Sequence, residues 1–138
     1  LRRSDRLAYL TTTIFIAIPV VKYIIRTWNN IQITRMLAVL LESGVRSSDA
    51  VKLVSHHMHN QLYKVALEQI SQELVMGRKM SSQFVHYKKL FPADMGGLIQ
   101  VAEQSGSLPK TLELIAALYT QDLDAYHKNS LLLSSRSS

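Results

Sequence analysis

Apolar residues recur with helical spacing through most of the chain after residue 30. In residues 31–44 they follow the pattern i, i+3, i+4, i+7, i+8, which is typical of a helix with one apolar face. The positions are Ile33, Met36, Leu37, Leu40 and Leu41. Gly44 comes next and is suited to end the helix, because glycine accepts a positive φ at little cost.

Similar patterns predict five more helices, within residues 45–60, 61–77, 78–91, 90–106 and 107–127. Gly77 ends the third helix, while Ser105, Gly106 and Ser107 form the corner between the last two. In the third helix the predicted inner face is Leu62, Val65, Ala66, Ile70 and Leu74. No stretch shows sustained alternation or a hairpin signal. The predicted fold class is therefore all-α, a six-helix bundle.

An additional helical lead-in is expected before the bundle. Its longest uncharged run, Leu7–Val21, has 15 residues, whereas a membrane-spanning helix needs about 20. Pro19 and the nearby Lys22 also weaken the case for a span. A juxtamembrane helix, a helix packed on the core with a kink or break at the proline, and a helix on the membrane surface remain the alternatives.

Composition favours one globular domain, and most of the excess positive charge lies at the N-terminal end of the chain. The chain has 138 residues, 47% hydrophobic and 19% charged, with no cysteine and a net charge of +6. Residues 1–30 carry five basic groups against Asp5, so most of the excess lies there. We divide the chain into a lead-in (1–28), a bundle (29–128) and a tail (129–138) that is expected to be disordered or foreign to the natural protein. Both ends read as those of a fragment.

Candidate chemistry is sparse. His56, His57 and His59 could contact a metal, but no cysteine or nearby carboxylate completes a ligand set. Solvent-exposed imidazoles near a helix end explain them without a metal. No nucleophile elbow, phosphate loop or acid–base pair is present; Glu103 and Glu113 lie on different predicted helices. We therefore expect no enzymatic activity and no cofactor or metal.

A basic cluster lies in residues 78–91, which contain Arg78, Lys79, Lys88 and Lys89 beside aromatic residues. Such a cluster could bind phosphates, so a soluble helical nucleic-acid-binding or regulatory module is the alternative function. A solvated helix face is the simpler explanation, because the body of the chain is nearly neutral. The leading expectation is therefore no nucleic-acid partner.

Three motifs in sequence order resemble one known family. They are "ITRMLAVLLESGVRSSDAVKLV", "ELVMGRKMSSQFVHYKKLFP" and "GLIQVAEQSGSLPKTLELIAALY". Together they resemble the cytoplasmic domain of the F-type inner-membrane platform proteins of type II secretion systems, type IV pilus machines and competence pili. Ala102 stands where the family usually has glycine, and Lys22 replaces another common glycine.

The resemblance covers about residues 17–127 and implies a six-helix bundle that occurs twice in a polytopic protein. This chain could be either copy, and the lead-in suggests the second. The implied location is the inner membrane, with this domain facing the cytoplasm. The implied role is a scaffold that couples a hexameric assembly ATPase to pilus or pseudopilus assembly. Implied partners are that ATPase, pilins, other inner-membrane components and further copies of the platform.

Candidate partner contacts are charged residues near the helix corners: Arg46, Arg78, Lys79, Glu103 and Lys110. Glu103 raises a question of its own. It lies near the end of the fifth predicted helix, where a negative charge opposes the helix dipole. We expect a compensating partner, which could be a basic side chain, a free N–H at the start of the last helix, or another protein.

Overall fold

The helical patterns of the sequence correspond to six helices in the computed structural model. It describes the backbone of residues 2–136 and the side-chain surroundings of residues 5–15 and 17–129. The helices are α1 (Arg2–Glu42), α2 (Ser47–His57), α3 (Gln61–Val75), α4 (Met80–Phe84), α5 (Ala93–Ser105) and α6 (Leu108–Arg136). The described backbone contains no strand, so the all-α prediction is confirmed.

The lead-in is not a separate helix, because α1 continues from it into the bundle without a break. Pro19 lies inside α1 and does not end it. The helix is 41 residues long, or about 60 Å at 1.5 Å per residue. The alternative in which residues 7–25 pack on the core is wrong for the described side chains, since none of them is buried and only Val20 is half-buried. Tyr23, in the last turn of this range, contacts α6 at the surface. The bundle begins at Arg26 and Thr27.

The long helices α1 and α6 pack against each other over most of the bundle. Tyr23 stacks on Tyr126 with ring centroids 5.2 Å apart, and Arg35 Nη2 lies 3.4 Å from Thr120 Oγ1. The two helices are therefore antiparallel. Helix α6 continues to Arg136, past the expected end near residue 127. Residues 137–138 and the side chains of 130–136 in the predicted tail lie outside the described residues.

The core is formed where α2–α3 and α4–α5 pack beside this long pair. Its largest fully buried side chains include Phe91, Ile33, Leu37, Leu67, Ile70, Met95, Ile99, Leu112 and Ile115. Phe91 is the centre of an aromatic group and contacts Phe84 and Tyr63 edge-to-face, at centroid distances of 4.6 and 5.8 Å. This packing fixes the segment between α4 and α5 against the rest of the bundle.

The predicted inner face of α3 is partly wrong. Leu62 and Val65 are 68% and 48% exposed, while Tyr63 and Leu67 are buried beside Ala66. The hydroxyl of Tyr63 has a hydrogen-bond partner inside the bundle, which is what allows a polar aromatic residue to occupy a core position.

Candidate functional site

Four of the five candidate contact residues gather at one corner of the bundle, which we call the charged corner. Arg46, Arg78, Lys79 and Glu103 line two adjoining cavities of about 410 and 330 Å³. Both cavities are bordered by Ser47 and Glu103. The beginnings of α2 and α4 and the end of α5 therefore meet here, although they are far apart in sequence.

Glu103 is the residue that joins these elements. Its Oε2 accepts a hydrogen bond from the N–H of Met80, and its Oε1 accepts one from the N–H of Ser81, each at 3.1 Å. These are free donors at the start of α4, where no side chain of the N-terminal flanking residue Lys79 forms a cap. The expected conflict with the α5 dipole is thus offset by a second helix, not by the start of α6.

The turn beside Glu103 depends on Gly106, which has φ +70° and ψ 22°. This left-handed geometry lets the N–H of Ser107 donate to Ala102 O at 3.0 Å, which closes the end of α5. Ser105 Oγ donates to Val101 O at 3.0 Å and lies 2.7 Å from Ser107 Oγ. The serines therefore satisfy each other and the backbone at this corner.

The other two predicted corner glycines, Gly44 and Gly77, both have φ +89°. They end α1 and α3 and so direct the chain toward the starts of α2 and α4. The N–H of Val45 donates to Leu40 O at 3.0 Å, and the N–H of Arg78 donates to Glu73 O at 3.2 Å. These turns bring Arg46 and Arg78 to the charged corner.

Two cations of the charged corner have no ionic partner among the described residues. Arg78 Nε pairs with Glu73 Oε2 at 3.1 Å, and both side chains are partly exposed. Arg46 and Lys79 are exposed and form no such pair within the part of the chain that the structure describes. Asp49 also borders the second cavity, but it forms no ion pair with Arg46 or Lys79 within the described part of the chain. The corner therefore offers these two positive groups to an acidic surface.

Lys110, the fifth candidate, lies elsewhere. It borders a separate groove of about 330 Å³ between the end of α1 and the start of α6, together with Glu42 and Glu113. The acidic neighbours reduce the positive charge of that groove. Lys110 therefore does not contribute to the charged corner.

The fold separates the members of the basic cluster and leaves the three histidines on the surface. His56, His57 and His59 are exposed, and the described residues contain no group of three or more potential metal ligands. Arg78 and Lys79 lie at the charged corner, whereas Lys88 and Lys89 lie on the segment after α4. These four residues thus do not form the continuous basic surface that the nucleic-acid alternative requires.

A polar network that the sequence analysis missed lies at the opposite end of the bundle. Arg26 Nη2 donates to Lys88 O at 3.0 Å and to Phe91 O at 2.9 Å. Asn30 Nδ2 and the hydroxyl of Tyr63 both donate to Leu90 O, each at 2.8 Å. These bonds hold the segment of residues 85–92, which we call the α4–α5 loop, against α1. The only sequence signal was a polar interruption of an apolar helix.

Two tyrosines at this end of the bundle, Tyr63 of the network and Tyr119, have pKa values that are raised by burial. Loss of solvent raises the pKa of Tyr63 to about 12, partly opposed by the nearby Arg26 charge. Burial also raises the pKa of Tyr119, with a further contribution from the carboxylate of Asp94. The neutral phenol of Tyr63 remains a hydrogen-bond donor at physiological pH. This end of the bundle is therefore held by neutral donors and one arginine.

Most of the chain is similar to proteins of one known family. Residues 33–134 match the family model described as type II secretion system (T2SS), protein F. The type IV pilus assembly protein TapC of Aeromonas hydrophila is 24% identical over 89% of this chain and 30% of its own length. PilC of Myxococcus xanthus is 25% identical over 81% of this chain and 27% of its own length.

A third relative, PilC of Thermus thermophilus, is 23% identical over 66% of this chain and 22% of its own length. The chain thus spans less than a third of each of these curated relatives. The family match begins at Ile33, within the bundle part of α1, and extends through most of α6. Because it includes well over half of the chain, the chain belongs to the type II secretion system protein F family.

Proposed function

We propose that this chain is the cytoplasmic bundle, with an adjoining membrane segment, of an inner-membrane platform protein that assembles a pilus or pseudopilus. The observation that carries the proposal is a family-matched bundle whose first helix continues into an exposed apolar segment. The relatives named as type IV pilus assembly proteins support the assembly role. Nucleotide chemistry would then belong to a partner and not to this chain.

The segment of α1 that would enter the bilayer is residues 7–25, which we call the apolar segment. Its exposed side chains include Phe15 at 77%, Leu7 at 61% and Ile14 at 58%. Nineteen residues of helix extend about 28 Å, close to the hydrocarbon thickness of a bilayer. By length and composition α1 is the one described helix able to cross a membrane. The apolar side chains surround the helix, which favours insertion over lying on the surface.

Three threonines inside the apolar segment are compatible with lipid. Thr11, Thr12 and Thr13 each donate to the carbonyl four residues earlier, at 2.7–2.8 Å. A hydroxyl that is satisfied within its own helix costs much less to transfer out of water than a free one. Basic residues usually mark the cytoplasmic end of a membrane helix, but here they flank the segment on both sides and do not decide its orientation. We therefore take the cytoplasmic orientation of the bundle from the family resemblance.

The implied mechanism is mechanical. The charged corner and the α4–α5 loop are at opposite ends of the bundle, because Arg26 and Glu42 are separated by about 24 Å of one helix. We propose that a hexameric assembly ATPase contacts the charged corner and displaces the bundle. Helices α1 and α6 would pass this displacement to the membrane, where pilins, other inner-membrane components and further platform copies are contacted.

The docking proposal is tested by reversing the charge of the two cations that lack an ionic partner among the described residues. We expect Arg46→Glu with Lys79→Glu to weaken retention of the cognate assembly ATPase by the membrane-embedded chain at least tenfold, since like charges across an interface repel. The matched control, Lys52→Glu with Lys64→Glu, changes the net charge equally on α2 and α3. If both double variants retain the ATPase as the unaltered chain does, the charged corner is not the docking site.

Glu103 is better explained as a structural organiser of this corner than as a contact. Both of its carboxylate oxygens are engaged by backbone N–H groups of α4. A charge reversal there would disturb the fold before it tested docking. Variants of Arg46 and Lys79 therefore separate partner binding from stability more cleanly.

A further inference from the structure

The α4–α5 loop lies directly beside the point where α1 leaves the bundle and its apolar segment begins. Arg26 is the residue after that segment, and it binds the carbonyls of Lys88 and Phe91 at 3.0 and 2.9 Å. Asn30, one turn further along α1, binds the carbonyl of Leu90 at 2.8 Å. The part of the loop at Lys88 is therefore fixed at the level of Arg26, next to the apolar segment.

Exposed lysines surround this level from three elements. Lys22 precedes Arg26 by four residues on the same face of α1. Lys88 and Lys89 are exposed on the loop. Lys128 is exposed on α6, two residues after Tyr126, whose ring lies 5.2 Å from that of Tyr23. We call the four lysines 22, 88, 89 and 128 the basic collar.

Acidic residues near the basic collar do not neutralise it. Asp94 and Asp122 influence the buried hydroxyl of Tyr119, and Asp124 lies on α6 before Tyr126. Within the described residues no collar lysine lies in an ion pair with any of these carboxylates. The four lysines and Arg26 outnumber the three aspartates, and the loop holds two of the lysines at the outer surface.

We propose that the basic collar binds the headgroups of anionic phospholipids. This inference rests on the proposed insertion of the apolar segment, which would bring the collar to the bilayer surface. Juxtamembrane lysines are attracted to anionic headgroups, and their long apolar stems let the ammonium groups reach the interface. The hydrogen bonds of Arg26 and Asn30 then have a function beyond packing: they hold the loop lysines against the membrane.

Aromatic residues at the same level suit an interfacial location. Trp28 is the single tryptophan of the chain and is 52% exposed, three residues after the apolar segment. Tyr23 is 39% exposed, within the last turn of that segment. Tryptophan and tyrosine favour the headgroup region, because their rings have both apolar and polar parts. Trp28 therefore also serves as an intrinsic probe of the lipids around the collar.

The test uses the whole chain reconstituted into phosphatidylcholine vesicles that contain a fixed fraction of brominated lipid. The brominated lipid is either phosphatidylglycerol or phosphatidylcholine, with bromine near the headgroup end of the acyl chains. Quenching of Trp28 fluorescence then compares the local concentrations of the two lipids. We expect stronger quenching by the anionic lipid, and we expect added salt to reduce the difference.

Substitution of the loop lysines completes the test. Lys88→Gln with Lys89→Gln should lower the preference for phosphatidylglycerol about fivefold or more, the effect of roughly one lysine at an anionic surface. The matched control, Lys79→Gln with Lys110→Gln, removes the same charge away from the collar and should keep the preference. Circular dichroism and thermal melting check that each variant is folded.

The outcomes separate this inference from the proposed function. Equal quenching by both brominated lipids in the unaltered chain would overturn the basic collar while leaving membrane insertion intact. A preference unchanged in the loop variant would also overturn it. Absence of quenching by either lipid would show that the chain does not enter the bilayer, and both proposals would fail.

Discussion

Substitution of Glu103 by alanine tests the account of the charged corner in free-energy terms. The change removes two hydrogen bonds of 3.1 Å from the N–H groups of Met80 and Ser81. Met80 and Ser81 are themselves buried, at 2% and 7% exposure. The start of α4 would lose its only side-chain acceptor among the described residues, because Lys79 supplies none.

The expected loss in the free energy of unfolding is the difference between lost hydrogen bonds and two effects that offset them. Each hydrogen bond to a charged group contributes about 1.5–3 kcal/mol in favourable settings. Water in the adjoining cavities can replace part of this, and removal of a negative charge from the end of α5 recovers about 0.3–1 kcal/mol. We therefore expect Glu103→Ala to lower the free energy of unfolding by about 2 kcal/mol. For a cooperative unit of about 100 residues this corresponds to a Tm decrease of about 8–10 °C.

Thermal and urea unfolding followed by circular dichroism measure this change. Glu103→Gln keeps one carbonyl acceptor, so its free energy of unfolding should fall by about half as much as that of Glu103→Ala. Glu113→Gln at an exposed position of α6 is the matched control and should change stability by less than about 0.5 kcal/mol. A Tm for Glu103→Ala within 2 °C of the unaltered chain would refute the capping role, and Glu103 would again be a candidate for direct docking.

Three further changes test other parts of the fold. Gly106→Ala should lower the free energy of unfolding, measured with urea, by about 1–2 kcal/mol, because a φ of +70° is strained for alanine even though the space is open. The control Gly97→Ala, within α5, should leave the free energy of unfolding unchanged or raise it. An added Cβ at Gly96 would lie 2.6 Å from Val85 Cγ1, so Gly96→Ala should lower Tm, and adding Val85→Ala should restore most of it; no restoration would contradict that contact. The pKa of Tyr63 is about 12 when folded and about 10 when unfolded, so unfolding releases protons at high pH and stability should decrease as pH rises from 10 to 12. Tyr63→Phe should reduce that decrease, and an unchanged pH profile would exclude Tyr63 as its source.

The helices and their turns were predictable because they depend on local patterns. The apolar stripe at Ile33 and Leu37, the glycine after each stripe and the cap at Asn60 all act within a few residues. Asn60 Oδ1 accepts a hydrogen bond from the N–H of Leu62 at 3.0 Å, and asparagine is among the residues that favour this position before a helix. Such signals do not depend on how the helices pack.

The face of α3 and the partner of Glu103 were not predictable from local pattern. The sequence pattern placed Leu62 inward, but Tyr63 is buried instead, and the carbonyl of Leu90 accepts its hydroxyl. Glu103 is 22 residues from Ser81 in sequence, and only the turn between α4 and α5 brings them together. Spacing along one helix contains no information about either contact.

The continuity of α1 through Pro19 was also missed. Proline usually kinks or ends a helix in water, because it lacks an N–H and crowds the preceding turn. Here the helix continues for more than twenty residues on the bundle side, where contacts with α6 support it. The length rule applied to residues 7–21 therefore underestimated the apolar segment, which extends past Lys22 to Ile25.

Single-cysteine labelling in cells tests whether a cytoplasmic bundle is attached to a membrane-inserted helix, and the 138 residues contain no cysteine of their own. Cysteine would replace either Gln72, exposed on the bundle, or Ile14, within the apolar segment. The account predicts that a membrane-impermeant maleimide labels position 72 only after the inner membrane of spheroplasts is permeabilised, and position 14 neither before nor after. Labelling of position 72 in intact spheroplasts, or of position 14 to the same extent as position 72, would contradict a cytoplasmic bundle attached to a membrane-inserted helix.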